Sequence, residues 1–137
     1  MTKLLLALVI LLQAGAADLA PTGTLRASFI ATNPVQGRVD PATQEATGPA
    51  PDLTRELARR LGVKFEILPL ENAGAVLESV RTGRVDIGFL ALEAERATLV
   101  DFTDPYIDSG AAYAVRADAP FQTSADVDRP GVIVGGI

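Results

Sequence analysis

The segment VKFEILPLENAGAVLESVRTGRVDIGFLA (residues 63–91) contains a predicted strand, a helix and a second strand in succession. Residues 63–70 alternate in polarity, as a strand with one buried face does. The helix ends at Gly83, with Arg81 in its last turn, where a positive charge complements the helix dipole. Residues 85–91 are apolar on both faces, which is typical of a central strand in a parallel sheet. The segment therefore predicts a parallel βαβ unit.

The chain before this segment extends the same pattern. Residues 25–31 (LRASFIA) predict a strand, and residues 51–62 (PDLTRELARRLG) predict an amphipathic helix. Between them, residues 32–51 are rich in Pro, Gly and Thr and predict a loop, with a hairpin around Asp40 and Pro41. The order strand, helix, strand, helix, strand predicts an α/β fold with a parallel sheet and right-handed crossovers.

The part of the chain after the segment is less regular. Residues 104–106 (DPY) predict a turn that enters a further strand at residues 111–115 (AAYAV). Residues 124–126 predict the start of a short helix, and residues 131–137 (GVIVGGI) predict a last strand followed by a glycine turn.

The N-terminus has the three regions of a secretory signal peptide. Lys3 precedes an apolar run at residues 4–12, and an Ala-x-Ala pattern follows at Ala14 and Ala16. The run of about nine apolar residues is shorter than the ~20 that a membrane-spanning helix needs. A membrane anchor or a buried helix is the alternative. We predict a signal peptide over residues 1–17 and export to the periplasm.

The composition excludes several classes of function. The chain has 137 residues, the length of one ordinary domain, and a formal net charge of −5. This charge argues against a nucleic-acid partner, because phosphate binding needs a basic face. The sequence has no Cys and no His, so zinc, haem and thiol chemistry lack their usual ligands. A Ser-His-Asp or Cys-His nucleophile lacks its base. We expect neither a metal nor a cofactor, and no residue is predicted to be catalytic.

Two polar residues follow predicted strands at the edge where open α/β sheets bind ligands. Arg96 lies a few residues past the third strand, and Asn33 lies just past the first. An arginine stays charged and needs an anionic partner when it is buried. For Arg96 this partner is a ligand or a nearby carboxylate, Glu93 or Asp101. For Asn33 the alternative is a turn residue before Pro34.

Five pieces of the chain resemble a known family. In order along the sequence they are GTLR with its strand, DLTRELARRLGVKFEILP, SVRTGRVDIGFLA, ERATLVDFTDPY and SADVDRPGV. Together they resemble the solute-binding proteins of bacterial ABC importers, in the group that takes up polar amino acids and similar small solutes. The resemblance runs over nearly all of the chain after the signal peptide.

The resemblance implies a type II periplasmic-binding-protein fold, in which a ligand lies between two lobes and closure presents the protein to an inner-membrane permease. Residues 18–116 correspond to lobe 1, and residues 117–137 to the crossover and the first strand of lobe 2. Because the sequence stops where the second lobe begins in the family, we expect a truncated N-terminal lobe with the second lobe essentially missing.

The resemblance also implies the ligand site. In the family, the arginine that corresponds to Arg96 binds the carboxylate of the ligand, a task suited to a planar guanidinium with two parallel donors. The end of the preceding strand, here Phe89 and Ala91, supplies main-chain groups, and Asn33 faces the same site. Ala91 stands where the family commonly has Ser or Thr, and Glu93 stands where Thr is usual. The expected ligand is an amino acid or a similar carboxylate-bearing solute.

Three alternatives to a non-enzymatic binding component stay open. The first is a prephenate-dehydratase-like enzyme on the same fold, which needs a general acid or base. Glu93, Glu71 or a residue of the second lobe are its candidates. The second is a sensor domain, which needs a transmembrane segment after the lobe. The third is a truncated fragment without function.

We expect the exported protein to begin near Ala17 or Asp18, because signal peptidase cleaves after small residues of this pattern. Mass spectrometry of the protein from the periplasmic fraction measures this N-terminus. A chain that keeps Met1 and fractionates with the membrane would contradict the signal peptide and support the anchor.

Overall fold

The computed structural model describes residues 18–108, 110 and 112–135. The predicted signal peptide, residues 1–17, lies outside the described residues. The chain divides into two compact units, one up to residue 103 and one from residue 104. In the part that the structure describes, no helix has both the length and the apolar character that crossing a membrane requires.

The helices and strands follow one another in the predicted order. In chain order they are β1 (Thr24–Ile30), β2 (Arg38–Val39), β3 (Ala46–Thr47), α1 (Pro49–Leu61), β4 (Lys64–Leu70), α2 (Ala73–Arg81), β5 (Ile87–Gly88), a 3₁₀ helix (Arg96–Thr98) and α3 (Ser124–Val127). Strands β1, β4 and β5 form a parallel sheet in the order β4-β1-β5. This confirms the predicted α/β fold with a parallel sheet.

The central strand of the observed sheet is β1, not the third predicted strand at residues 85–91. β1 pairs with β4 along its whole length, from Thr24 opposite Lys64 to Ile30 opposite Leu70. β5 pairs with β1 over two residues only, and among the described residues it is an edge strand. Among the described residues β5 therefore does not have the central position predicted for residues 85–91. Apolar side chains also occur on an edge strand that a helix covers, as α2 covers β5 at Gly88.

The two helices cover opposite faces of β1. Leu25 of β1 is fully buried in a core cluster with Ala20 and with Ala58 of α1. Ser28 lies on the other face, where its Oγ is 3.0 Å from Oγ of Ser79 in α2. Because successive side chains of a strand point to opposite faces, α1 and α2 lie on opposite sides of the sheet.

The helix boundaries follow from local sequence signals. α1 begins with proline in its first turn, and Gly62 ends it in the left-handed conformation with φ of 68°. Glycine adopts this conformation without steric cost, so the predicted exit at Gly62 is confirmed. Asn72 caps α2, since its Oδ1 accepts a hydrogen bond of 3.0 Å from the backbone N–H of Ala75.

The predicted hairpin is present in the loop after β1. β2 and β3 pair antiparallel, with Arg38 opposite Thr47. Asp40 forms the turn: its Oδ1 accepts hydrogen bonds from the backbone N–H groups of Ala42 at 2.8 Å and Thr43 at 2.9 Å. These hydrogen bonds lower the pKa of Asp40, because they favour the charged carboxylate.

The unit from residue 104 matches the sequence prediction only in its helix. α3 lies where a short helix was predicted. Residues 112–115 and 131–135 contain no strand, so the predicted strands are wrong over these residues, while residues 111, 136 and 137 lie outside the description. An apolar run alone does not form a strand, because its backbone groups need a partner strand to bond.

The outer edge of β4 is polar and contains a proline. Lys64, Glu66 and Pro69 are all exposed, and β4 is the second edge strand among the described residues. Proline has no N–H to donate to a neighbouring strand, which is why it is confined to edges of sheets.

An ion pair joins β1 to the residue before β5. Arg26 Nη2 lies 2.5 Å from Asp86 Oδ1, and Arg26 donates to Asp86 Oδ2 from Nε at 3.1 Å and from its backbone N–H at 2.8 Å. The Asp86 side chain is only 7% exposed. This burial raises the pKa of Asp86, but the hydrogen bonds from Arg26 outweigh it and the pKa is lowered overall.

Helix α2 approaches β5 most closely at Gly88. A Cβ on Gly88 would lie 2.7 Å from Val80 Cγ2 and 2.9 Å from Val76 Cγ1. Both distances are shorter than carbon atoms tolerate, so only glycine allows this contact between helix and strand.

Replacing Gly88 by alanine should destabilise the fold, because the new methyl group must displace Val76 or Val80. Overpacking of this kind costs about 1–3 kcal/mol, measured by urea unfolding. Gly74→Ala is the control, since a Cβ there meets only Asn72 Oδ1 at 3.4 Å and alanine favours the helix. Equal stability of Gly88→Ala and the wild type would show that α2 shifts freely on the sheet.

Replacing Asp86 by asparagine should lower the free energy of unfolding at neutral pH by about 1–3 kcal/mol, since charge-assisted hydrogen bonds are lost. Because the pKa of Asp86 is lower in the folded than in the unfolded chain, its contribution is complete above the usual carboxyl pKa of about 4. It disappears as the pH falls through the lowered folded value. Urea unfolding at a series of pH values should show the stability difference between wild type and variant shrinking in acid; a constant difference contradicts this account.

Candidate functional site

The carboxyl edge of the parallel sheet brings three chain segments together. β1, β4 and β5 end at Ile30, Leu70 and Gly88, and parallel strands end at the same edge. β1 lies between β4 and β5, and the helices that connect the three strands lie on opposite faces. Such a switch point is where open α/β sheets form a ligand crevice.

Asn33 lies in the loop after β1 and forms a turn. Its backbone N–H donates to Ile30 O at 3.0 Å, and its Oδ1 accepts from the backbone N–H of Val35 at 3.0 Å. This is the turn role that the sequence left open as the alternative to ligand binding. A ligand-binding role for Asn33 stays a prediction.

Gln36 holds the same loop in place, and the sequence did not predict this role. Its side chain is buried, and its Oε1 accepts a hydrogen bond of 2.8 Å from the backbone N–H of Ile30, the last residue of β1. The backbone carbonyl of Gln36 accepts a hydrogen bond of 2.8 Å from the backbone N–H of Ala50 in α1. A glutamine in a polar loop gives no periodic signal, so nothing in the pattern distinguished it.

Phe89 extends the pairing between β1 and β5 by one residue. Its backbone N–H donates to Ser28 O at 2.9 Å, and its side chain is half-buried. Ala91, two residues later, is exposed, and its carbonyl points to the guanidinium of Arg96, as the hydrogen bond of 3.1 Å from Arg96 Nη1 shows. The structure therefore brings Ala91 and Arg96 together, while Phe89 fixes the strand end before them.

Arg96 begins the 3₁₀ helix and is the most enclosed charged group of this loop. Its side chain is 21% exposed, and its Nη1 lies 3.0 Å from Glu93 Oε1. Of the two carboxylates that the sequence offered as partners, Glu93 and Asp101, Glu93 makes the contact. The pair is half open to water, since the Glu93 side chain is 54% exposed.

Exposed carboxylates follow two of the strands at this edge of the sheet. Glu71 directly follows β4, and Glu93 and Glu95 lie in the loop after β5. Among the described residues, no group of three or more acids lies close enough together to hold a metal ion. The arrangement offers the guanidinium of Arg96, whose side chain is 21% exposed, next to Glu93. A guanidinium of this kind can bind the carboxylate of a small ligand.

Solved structures similar to this chain include binding proteins and a dehydratase. The arginine-bound form of domain 1 from TmArgBP is 32% identical over 68% of this chain and 74% of that chain, with a TM-score of 0.59. A mutant of arginine-bound ArgBP from T. maritima is 30% identical over 82% of this chain and 54% of that chain, with a TM-score of 0.66. An ancestral cyclohexadienyl dehydratase is 28% identical over 67% of this chain and 38% of that chain, with a TM-score of 0.58.

The family comparison covers both units of the chain. A search of curated proteins found no match. The chain spans about half of the ArgBP structure, 54%, and less of the dehydratase, 38%. Residues 25–128, from β1 to just past α3, match the family model of the bacterial extracellular solute-binding proteins, family 3. The chain therefore belongs to the bacterial extracellular solute-binding proteins of family 3.

Proposed function

We propose that this protein binds an amino acid or a similar carboxylate-bearing solute at the carboxyl edge of its sheet, as the periplasmic binding component of an ABC importer. The observation that carries the proposal is the position of Arg96. Its side chain is 21% exposed at a switch point of the sheet, and its contacts to Glu93 and Ala91 both use Nη1. A guanidinium has a second hydrogen-bonding edge, which matches the two oxygens of a carboxylate.

The main chain next to Arg96 completes the proposed site. Residues 89–91 continue from β5 at the edge of the sheet, so their backbone groups are held in place by the hydrogen bond of Phe89 to β1. Asn33 borders the site from the loop after β1. In this proposal residues 18–116 correspond to lobe 1 and residues 117–137 to the crossover towards lobe 2, of which residues 131–135 contain no strand.

The similarity to an isolated domain supports binding by a single lobe. Domain 1 from TmArgBP has an arginine-bound form, and it is of similar length to this chain. Contacts from one lobe are weaker than contacts from two: half of the ~−8 kcal/mol of a micromolar site corresponds to a millimolar one. We therefore propose that these residues bind weakly on their own, and that permease recognition depends on a second lobe.

A dehydratase is the second candidate, favoured by the similarity to the ancestral cyclohexadienyl dehydratase. It requires a general acid or base in the crevice. Glu93 is paired with Arg96, and Glu71 is exposed after β4, so neither carboxylate is sheltered from water. Consumption of prephenate by the purified protein would favour this candidate over the binding component.

L-arginine should raise the melting temperature of the wild-type protein in a thermal-shift assay, and Arg96→Ala should abolish the rise. A ligand at 100 times its Kd adds about 2.7 kcal/mol to the stability of the folded state. Agmatine, which lacks the carboxylate of arginine, should give no rise. Arg81→Ala is the control, since Arg81 pairs with Glu78 at the exposed end of α2.

Two results contradict the proposal in different ways. An unchanged response of Arg96→Ala to L-arginine rejects Arg96 as the carboxylate ligand. No response of the wild type to any of the twenty amino acids rejects amino-acid binding and leaves the fragment without function as the better account.

A further inference from the structure

The backbone of Glu93, the acid beside Arg96, is held by a hydrogen bond. The carbonyl of Glu93 accepts a hydrogen bond of 3.0 Å from the backbone N–H of Ala97, within the 3₁₀ helix that Arg96 begins. The side chains then meet at 3.0 Å between Glu93 Oε1 and Arg96 Nη1. A negative and a positive group are therefore presented next to each other at the carboxyl edge of the sheet.

This pair differs from the structural ion pairs of the same chain. In the Arg26–Asp86 pair the acid is buried and accepts three hydrogen bonds, so it cannot exchange partners. In the Glu93–Arg96 pair the acid is 54% exposed and the arginine is 21% exposed. An accessible pair of this kind adds little to stability. A ligand can therefore reach the carboxylate and rearrange the pair without loss of the fold.

Adjacent charges of opposite sign match an α-amino acid better than a simple carboxylate. The carboxylate and the ammonium of an α-amino acid are attached to the same carbon, so both can meet Arg96 and Glu93 together. Glu71, which follows β4, and Glu95, in the same loop as Glu93, are exposed acids at this edge of the sheet. Their charges add negative potential, which attracts the ammonium and disfavours a second anionic group.

We propose that Glu93 binds the α-ammonium group of the ligand whose carboxylate is bound by Arg96, and that Glu93 thereby selects zwitterions over simple carboxylates. This inference rests on the proposed function. It assigns the recognition of both charged groups of the ligand to one loop of one lobe, the loop between β5 and the 3₁₀ helix.

The test compares L-arginine with 5-guanidinopentanoate, which is arginine without its α-amino group. Calorimetric titration of the wild-type protein should give a Kd about tenfold lower for L-arginine, since a charge-assisted hydrogen bond is worth about this factor. In Glu93→Gln the two Kd values should become equal, because arginine binding weakens and Arg96 is freed for the simple carboxylate. Glu93→Ala should give the same result.

Glu78→Gln is the matched control, since Glu78 and Arg81 have the same spacing of three residues in α2. It should keep the wild-type preference, and all variants should have the wild-type melting temperature without ligand. A preference retained in Glu93→Gln, or an equal gain in affinity for both compounds, overturns the role of Glu93 alone. A wild-type protein that binds neither compound overturns amino-acid binding, and this inference with it.

Discussion

The hydrogen bonds between Arg26 and Asp86 are the interaction on which the site depends. β5 pairs with β1 over only two residues, so the ladder alone holds it weakly. Asp86 adds three hydrogen bonds from Arg26 immediately before this pairing, and Phe89 adds one to Ser28 immediately after it. Because β5 is fixed in this register, the loop that follows it emerges beside the end of β1 and places Arg96 at the carboxyl edge.

Most of the α/β unit could be predicted from the sequence, because periodicity and end signals are local. Gly62 ended a helix as expected, and the hairpin formed around Asp40. The position of β5 in the sheet could not be predicted, because apolar side chains indicate that a strand is buried but not which strands it pairs with. Residues 112–115 are apolar but form no strand, since a strand requires a partner that an apolar run does not supply.

The site was predictable in position but not in its contacts. Arg96 could be placed at the strand end from its spacing, whereas the choice between Glu93 and Asp101 required the conformation of the 3₁₀ helix. Asn33 stabilises its turn, because its Oδ1 accepts a hydrogen bond from the backbone N–H of Val35. Gln36 acts through a bond across six residues to the end of β1, and no sequence pattern indicates such a bond.

The two edges of the sheet differ in what they can accept. At β4, Pro69 offers no N–H, and the charged side chains of Lys64 and Glu66 are exposed. Such an edge is a poor template for another strand and protects the chain from intermolecular pairing. Among the described residues β5 has no comparable barrier, because Ile87 and Gly88 are small or apolar. Growth of this sheet therefore has a direction: any added strand, from this chain or another, joins beside β5.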